Sequence, residues 1–120
     1  DSFLAFETIF ATISDRGADV VLDRAKALYA MNPNFTPVLN MMGYAYMEKG
    51  DLDNAGKAFQ EQIRRAPGSA NPYDSMGDYY LEVDNKADAL RYFEQSAKMG
   101  LKASVSKADS LKNELNKENN

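Results

Sequence analysis

Apolar and polar positions along the chain recur at a helical period, and the pattern of one stretch returns 34 residues later. Leu39, Met42, Gly43 and Tyr46 lie over Tyr73, Met76, Gly77 and Tyr80. Downstream, Ala55, Phe59 and Ile63 lie over Ala89, Phe93 and Ala97, and Pro67 closes the first copy. Residues three and four apart share one face of a helix, so each copy predicts two helices. The punctuation agrees. Thr36 or Asn71 opens a first helix with Pro37 or Pro72 in its first turn, and Asp51 and Asn85 open the second helices. A glycine inside a helix costs about 1 kcal/mol against alanine. Close approach of Ala55 to Gly43 and of Ala89 to Gly77 is expected to offset it, with Tyr46, Phe59, Tyr80 and Phe93 filling the space around.

A worn third copy is expected over residues 3–35. Pro33 stands one period before Pro67, but Phe6, Ile9, Phe10 and Ile13 mark the helix where the glycine should be, and Gly17 fits only after a one-residue deletion. Residues 103–117 place Val105, Ala108, Leu111 and Leu115 on one helical face with charged residues around the rest, which predicts a terminal capping helix. The sequence therefore divides into 3–35, 36–69, 70–103, a cap over 104–117 and a frayed tail over 118–120, with about seven helices in all.

These residues spell W-x2-L-G-x2-Y with a large apolar residue at the Trp place, followed by A-x3-F-x3-[AI]-x3-P, and on them the chain resembles the tetratricopeptide repeat (TPR) family. The resemblance implies an all-α fold over residues 1–120, a right-handed superhelix of antiparallel helix pairs, or α-solenoid. It also implies a non-catalytic scaffold for a protein or peptide, whose ligand lies on a concave face lined by the first helices. The residues expected there are Glu7, Ala11, Ser14 and Asp15, then Asn40, Tyr44, Met47 and Glu48, then Asp74, Asp78, Leu81 and Glu82. Acidic side chains are frequent among them and Lys and Arg are missing, so a basic peptide is the expected ligand. Family members that bind acidic chaperone C-termini place Lys, Arg and Asn at such positions, and here only Asn40 fits.

A longer run carries a second resemblance. Ser69-Ala-Asn-Pro-Tyr73-Asp74-Ser75-Met76-Gly77-Asp78-Tyr79-Tyr80 is similar to a segment of the repeat tails of bacterial serine hydrolases, esterase-like and beta-lactamase-like, as are Asp84 to Leu90. With the order Gly17 to Pro33 and then Leu39 to Tyr44, the similarity covers most of residues 17–100. It implies an accessory C-terminal module of a larger bacterial enzyme, cytoplasmic or exported, whose catalytic residues lie elsewhere. The alternative it leaves is a structural or dimerisation tail with no ligand of its own. A start at Asp1 inside a predicted helix, without a basic n-region or cleavage signature, leads to the same expectation of a preceding segment.

Composition narrows the chemistry. At 120 residues and 44% hydrophobic the chain holds one modest core or a short stack of repeats. With no Cys and no His, disulfides, thiol nucleophiles, imidazole catalysis and the common zinc sites are excluded. No catalytic, cofactor or metal site is expected. A net charge of −4 argues against nucleic acid, and no apolar run is long enough to span a bilayer.

Smaller motifs are weighed against ordinary surface chemistry. Ser104-Val-Ser106-Lys107 spells the S-x-x-K of penicillin-recognising enzymes without its partner motifs, so Ser104 and Lys107 are expected to be solvated. Asp51-Leu-Asp53-Asn54-Ala-Gly56 begins like a calcium loop but has Ala55 where an oxygen ligand belongs, and is expected to be a helix start. Asn34-Phe35-Thr36 is a formal sequon followed directly by Pro37. The pair Asp74 and Asp78 is expected to be plain surface acidity. Met42 and Met76 are expected in the core and Met47 in the groove. Phe3, Leu4, Phe6, Ile9, Phe10 and Ile13 expose more apolar surface than one partner helix covers, so a parent domain or a second copy of the chain is expected to pack on the first helix.

Overall fold

The computed structural model describes residues 17–119. It divides into two compact units, Asp1–Ala66 and Pro67–Asn120. Glu7, the aromatic positions before Gly17 and the seventh expected helix lie outside the described residues.

The first unit contains α1 (Ala18–Met31), α2 (Pro37–Glu48) and α3 (Leu52–Arg65). Helix α1 packs on α2, and α2 packs on α3. The turn Lys49–Asp51 is too short for anything but an antiparallel return. Val21, Leu22, Ala25 and Leu28 of α1 recur at helical spacing and meet Val38, Met41 and Ala45 of α2 in one buried cluster. Met41, not Met42, is the deeply buried methionine, and Met42 is half-buried against the same cluster. The reason is register: 38, 41 and 45 share the face turned to α1, and 42 lies beside it.

The second unit contains α4 (Asn71–Glu82), α5 (Lys86–Lys98) and α6 (Lys102–Glu118). Helix α4 packs on α5, and α5 on α6. Ala89 and Phe93 join Ala108 and Leu111 in its core, with Tyr80, Leu90 and Leu115 packed around. The expected capping helix runs one residue longer at each end than the range read from its apolar face. Its inward face differs from the expected one at a single position. Val105 is exposed, and Ser104 is fully buried in its stead.

At the two helix glycines the nearest neighbours are Phe59 and Phe93, two of the aromatic residues expected to fill the space there. A Cβ placed on Gly43 would lie 2.2 Å from Cε1 of Phe59, and one on Gly77 would lie 2.3 Å from Cε1 of Phe93. In each case the three nearest atoms belong to the phenylalanine ring, not to Ala55 or Ala89. Each ring, at most 1% exposed, lies flush against the facing helix where a side chain would otherwise stand. Tyr44 adds an edge-on contact to Phe59, with ring centroids 5.1 Å apart.

Helix ends follow the sequence closely. Asp51 caps α3, its carboxylate accepting from the backbone amide of Asn54, and the hydrogen bonds from the Asn54 side chain and backbone hold the Asp51 pKa below its ordinary value. Asp51-to-Gly56 is thus a helix start and no calcium loop. Asn85 caps α5 in the same way by accepting from the Asp88 amide. Thr36 precedes α2 without a side-chain cap, and Ala70, not Asn71, stands at the start of α4. Pro37 and Pro72 lie in the first turns, where no amide is missed.

Candidate functional site

On α4 the expected groove residues fall into two classes. Asp74 is buried at 7% exposure, and Asp78, one turn on, is half-buried. Leu81 and Glu82 at the helix end are exposed. On α2, Asn40, Tyr44 and Met47 are half-buried and Glu48 is exposed. The structure thus brings Asp74, Asp78 and Leu81 to one region of the second unit and describes the α2 residues in the first.

What Asp74 meets is the S-x-x-K motif. The Ser104 hydroxyl lies 2.7 Å from Oδ1 of Asp74, and the Lys107 ammonium donates to Oδ2 at 2.8 Å. Lys107 also donates to Asp78, at 3.2 and 3.4 Å to its two oxygens. Behind them, Ser96 Oγ lies 2.8 Å from Ser104 Oγ and donates to the Ala70 carbonyl at 2.9 Å. Two hydroxyl protons therefore serve this chain of oxygens. One goes to the Ala70 carbonyl and the other to the Asp74 carboxylate, the acceptor that rewards it most.

This corrects two expectations. Ser104 is buried and Lys107, still partly exposed, is ion-paired, and Asp74 and Asp78 are not plain surface acidity, because a polar network docks α6 on α4 and α5. The partners of Ser104 are Asp74 and Ser96, and those of Lys107 are two carboxylates. Burial alone would lower the pKa of Lys107, but hydrogen bonds and charge from Asp74 and Asp78 outweigh it and hold the value above that of an ordinary lysine. The side chain stays charged with its ammonium 5.3 Å from the centre of the Phe93 ring.

Beside this network an open groove of about 370 Å³ runs between α4 and α6. Leu81, Phe93 and Leu111 supply its apolar lining, Ser106 and Ser110 its hydroxyls, and Asp78, Lys107 and Glu114 its charges. At the outer end Lys86 ties α5 to α6 by bonds to Glu114 at 3.2 Å and Glu118 at 2.5 Å. The two hydrogen bonds raise the Lys86 pKa.

Of the groove residues read from sequence, Asp78 and Leu81 line this groove; Ser106, Lys107, Ser110 and Glu114 were missed. They lie on the helix that apolar spacing identified only as a cap. The available signal was Ser104, Ala108, Leu111 and Leu115, which keep a helical spacing as well as the set starting at Val105. Choosing the more apolar residue put Ser104 outside. Among the described residues no cluster of three or more acidic side chains is arranged to hold a metal ion. No helix of the described residues is long and apolar enough to cross a membrane.

A family model described as tetratricopeptide repeat matches residues 36–69. No curated protein sequence matches the chain. Similar solved structures include the TPR domain of Sgt2 from Aspergillus fumigatus, with a TM-score of 0.84 at 14% identity, over 98% of this chain and 81% of that one. Another is the TPR2AB domain of yeast Sti1 in complex with pHSP90, with a TM-score of 0.86 at 13% identity. That match covers 98% of this chain, which spans about half, 48%, of the Sti1 chain. A third is the first TPR of Spaghetti (RPAP3) bound to the HSP90 peptide SRMEEVD, with a TM-score of 0.79 at 10% identity, over 95% and 92% of the two chains. Residues 36–69 thus match the tetratricopeptide-repeat model, and the described residues, all helix and turn, have the fold of tetratricopeptide-repeat domains.

Proposed function

We propose that the chain is a non-catalytic interaction module and that the groove between α4 and α6 receives a segment of a protein partner. The observation that carries this reading is the groove itself, open to solvent, with an apolar wall at Leu81, Phe93 and Leu111 and hydroxyls at Ser106 and Ser110. Two of the similar structures are complexes with HSP90 or its peptide, which supports the use of this fold for peptide capture. The set Glu7, Asn40, Tyr44, Met47, Glu48, Asp74, Asp78, Leu81 and Glu82 is narrowed in the second unit, where Asp74 belongs to the docking of α6. The similarity of residues 17–100 to the repeat tails of bacterial serine hydrolases favours a partner that is the parent enzyme or a protein bound by it.

The test is to pan a random-peptide library on the full chain and map the selected peptides by amide chemical shifts. Perturbations centred on Leu81, Ser106 and Ser110 are expected, with binding lost in Leu81→Glu. Absence of any selected peptide, or shifts that avoid this groove, overturns the reading.

A further inference from the structure

The charges around the groove are unequal. The groove lining carries two carboxylates, Asp78 and Glu114, and one ammonium, that of Lys107, and Glu82 stands exposed one turn beyond Asp78. The local excess is negative. Lys107 shows in addition what chemistry the spot accepts. Its ammonium lies within hydrogen-bonding distance of two carboxylates and beside the Phe93 ring, so one alkylammonium chain meets both the charge and the apolar wall of the groove.

The two carboxylates are not held equally. Asp74 is buried and receives Ser104 and Lys107 at 2.7 and 2.8 Å. Asp78 lines the open groove and receives the same ammonium at 3.2 and 3.4 Å. A second cation arriving from the groove therefore meets Asp78 first, and the longer bonds are the ones it can share. Asp74 stays with Ser104 and α6.

Resting on the groove reading above, we infer that this site selects a peptide carrying a Lys or Arg next to an apolar side chain, with Asp78 as the carboxylate that receives the cation and Lys107 as its internal competitor. The apolar side chain seats against Leu81 and Leu111. A peptide dense in carboxylates meets the negative excess and is rejected, which separates this chain from an HSP90-peptide binder of the SRMEEVD kind.

The experiment measures fluorescence polarisation of two labelled probes on the full chain. One is a short acetylated and amidated peptide of Lys, Leu and Ala, and the other is SRMEEVD. The cationic probe is expected to bind and to weaken roughly tenfold as ionic strength rises from about 0.05 to 0.5 M, because the charges are partly exposed. SRMEEVD is expected to show no binding over the same concentrations. Asp78→Asn should weaken the cationic probe several-fold while circular dichroism stays unchanged. Should that variant unfold, Glu114→Gln, on the exposed rim, is expected to weaken the probe in the same sense by a smaller factor. Equal or tighter binding of SRMEEVD, or a cationic affinity indifferent to Asp78→Asn, Glu114→Gln and salt, overturns the inference. The library selection decides separately. Uncharged peptides that map to the groove keep the groove reading and reject this one, whereas no peptide at all rejects both.

Discussion

In residues 36–69 the ring of Phe59 fills the place of a side chain at Gly43, and in residues 70–103 the ring of Phe93 does the same at Gly77. One period apart elsewhere, the two copies diverge. Asn40 stands where the other copy has Asp74, Gln62 where it has Ser96, and Gly50 where it has Asp84. The shared contact closes a helix pair, and sterics leave it one solution. The divergent positions serve neighbours outside the pair or the turn within it. Ser96 and Asp74 meet Ser104 of α6, whereas Gln62 is 3% exposed and its Oε1 has no hydrogen-bond partner among the described residues. Copies of one fold thus keep their internal packing and vary their outward chemistry.

The largest expected effect tests the shared half of that comparison. Phe59→Ala and Phe93→Ala should each cost about 3–5 kcal/mol, the range for deleting a buried aromatic ring. Gly43→Leu and Gly77→Leu should each cost roughly 1–3 kcal/mol or more by overpacking. Urea unfolding measures both. Closely matched losses at the two sites are expected, and a glycine variant as stable as the wild type would remove the equivalence.

The divergent half predicts opposite signs. Ser104→Val leaves buried Asp74 without its hydroxyl donor and should cost about 1–3 kcal/mol. Gln62→Leu removes a buried acceptor that has no partner among the described residues, so it should be neutral or stabilise by up to about 1 kcal/mol. Equal destabilisation by both substitutions would show that Gln62 is as well satisfied as Ser104.

The contrast also explains what the sequence made legible. Helix pairs, their caps at Asp51 and Asn85 and the glycine–aromatic period are local or strictly periodic, so they show in one chain without a structure. Periodicity places Ala55 and Phe59 on one face of α3 without saying which reaches further, and the structure shows that the phenylalanine ring comes nearest to each glycine. The α6 side of the groove was not legible for a related reason. Asp78 and Leu81 lie on a helix whose neighbours repeat, but Lys107 lies on a helix outside the repeat, and no spacing rule links residues 74 and 107. The polar docking of α6 is a property of three helices at once.

A smaller effect sharpens the account of that docking. The Lys107 pKa is raised in the folded chain, so the folded state holds its proton more tightly than the unfolded one. Its contribution is fully present below the unfolded value of about 10.5 and is lost as pH rises through the higher folded value. Lys86 and Tyr80 are shifted the same way, Lys86 by its bonds to Glu118 and Glu114 and Tyr80 by burial. Stability measured by urea unfolding should therefore fall above about pH 10, and the fall should be shallower in Lys107→Met. The same slope in both proteins would mean that Lys107 takes no part in it.

The smallest expected effect concerns the turns between paired helices. In the first copy Gly50 adopts φ 79°, and in the second Asp84 adopts φ 59°. The closing bonds correspond. The Gly50 amide donates to the Met47 carbonyl at 3.0 Å and the Asp51 amide to Tyr46 at 2.9 Å, matching Asp84 to Leu81 at 3.1 Å and Asn85 to Tyr80 at 2.8 Å. This is the usual way of ending a helix with a left-handed residue, and glycine adopts it without the Cβ clash that other residues suffer. The clash costs about 1–2 kcal/mol, less for Asp, and glycine's greater freedom in the unfolded chain returns part of that. Asp84→Gly should therefore stabilise by a few tenths to about 1 kcal/mol, and Gly50→Asp should destabilise by a similar amount. Thermal melts of the two variants should shift in opposite directions. A loss of stability in Asp84→Gly would show that the Asp84 side chain contributes more to its turn than its backbone strain takes away.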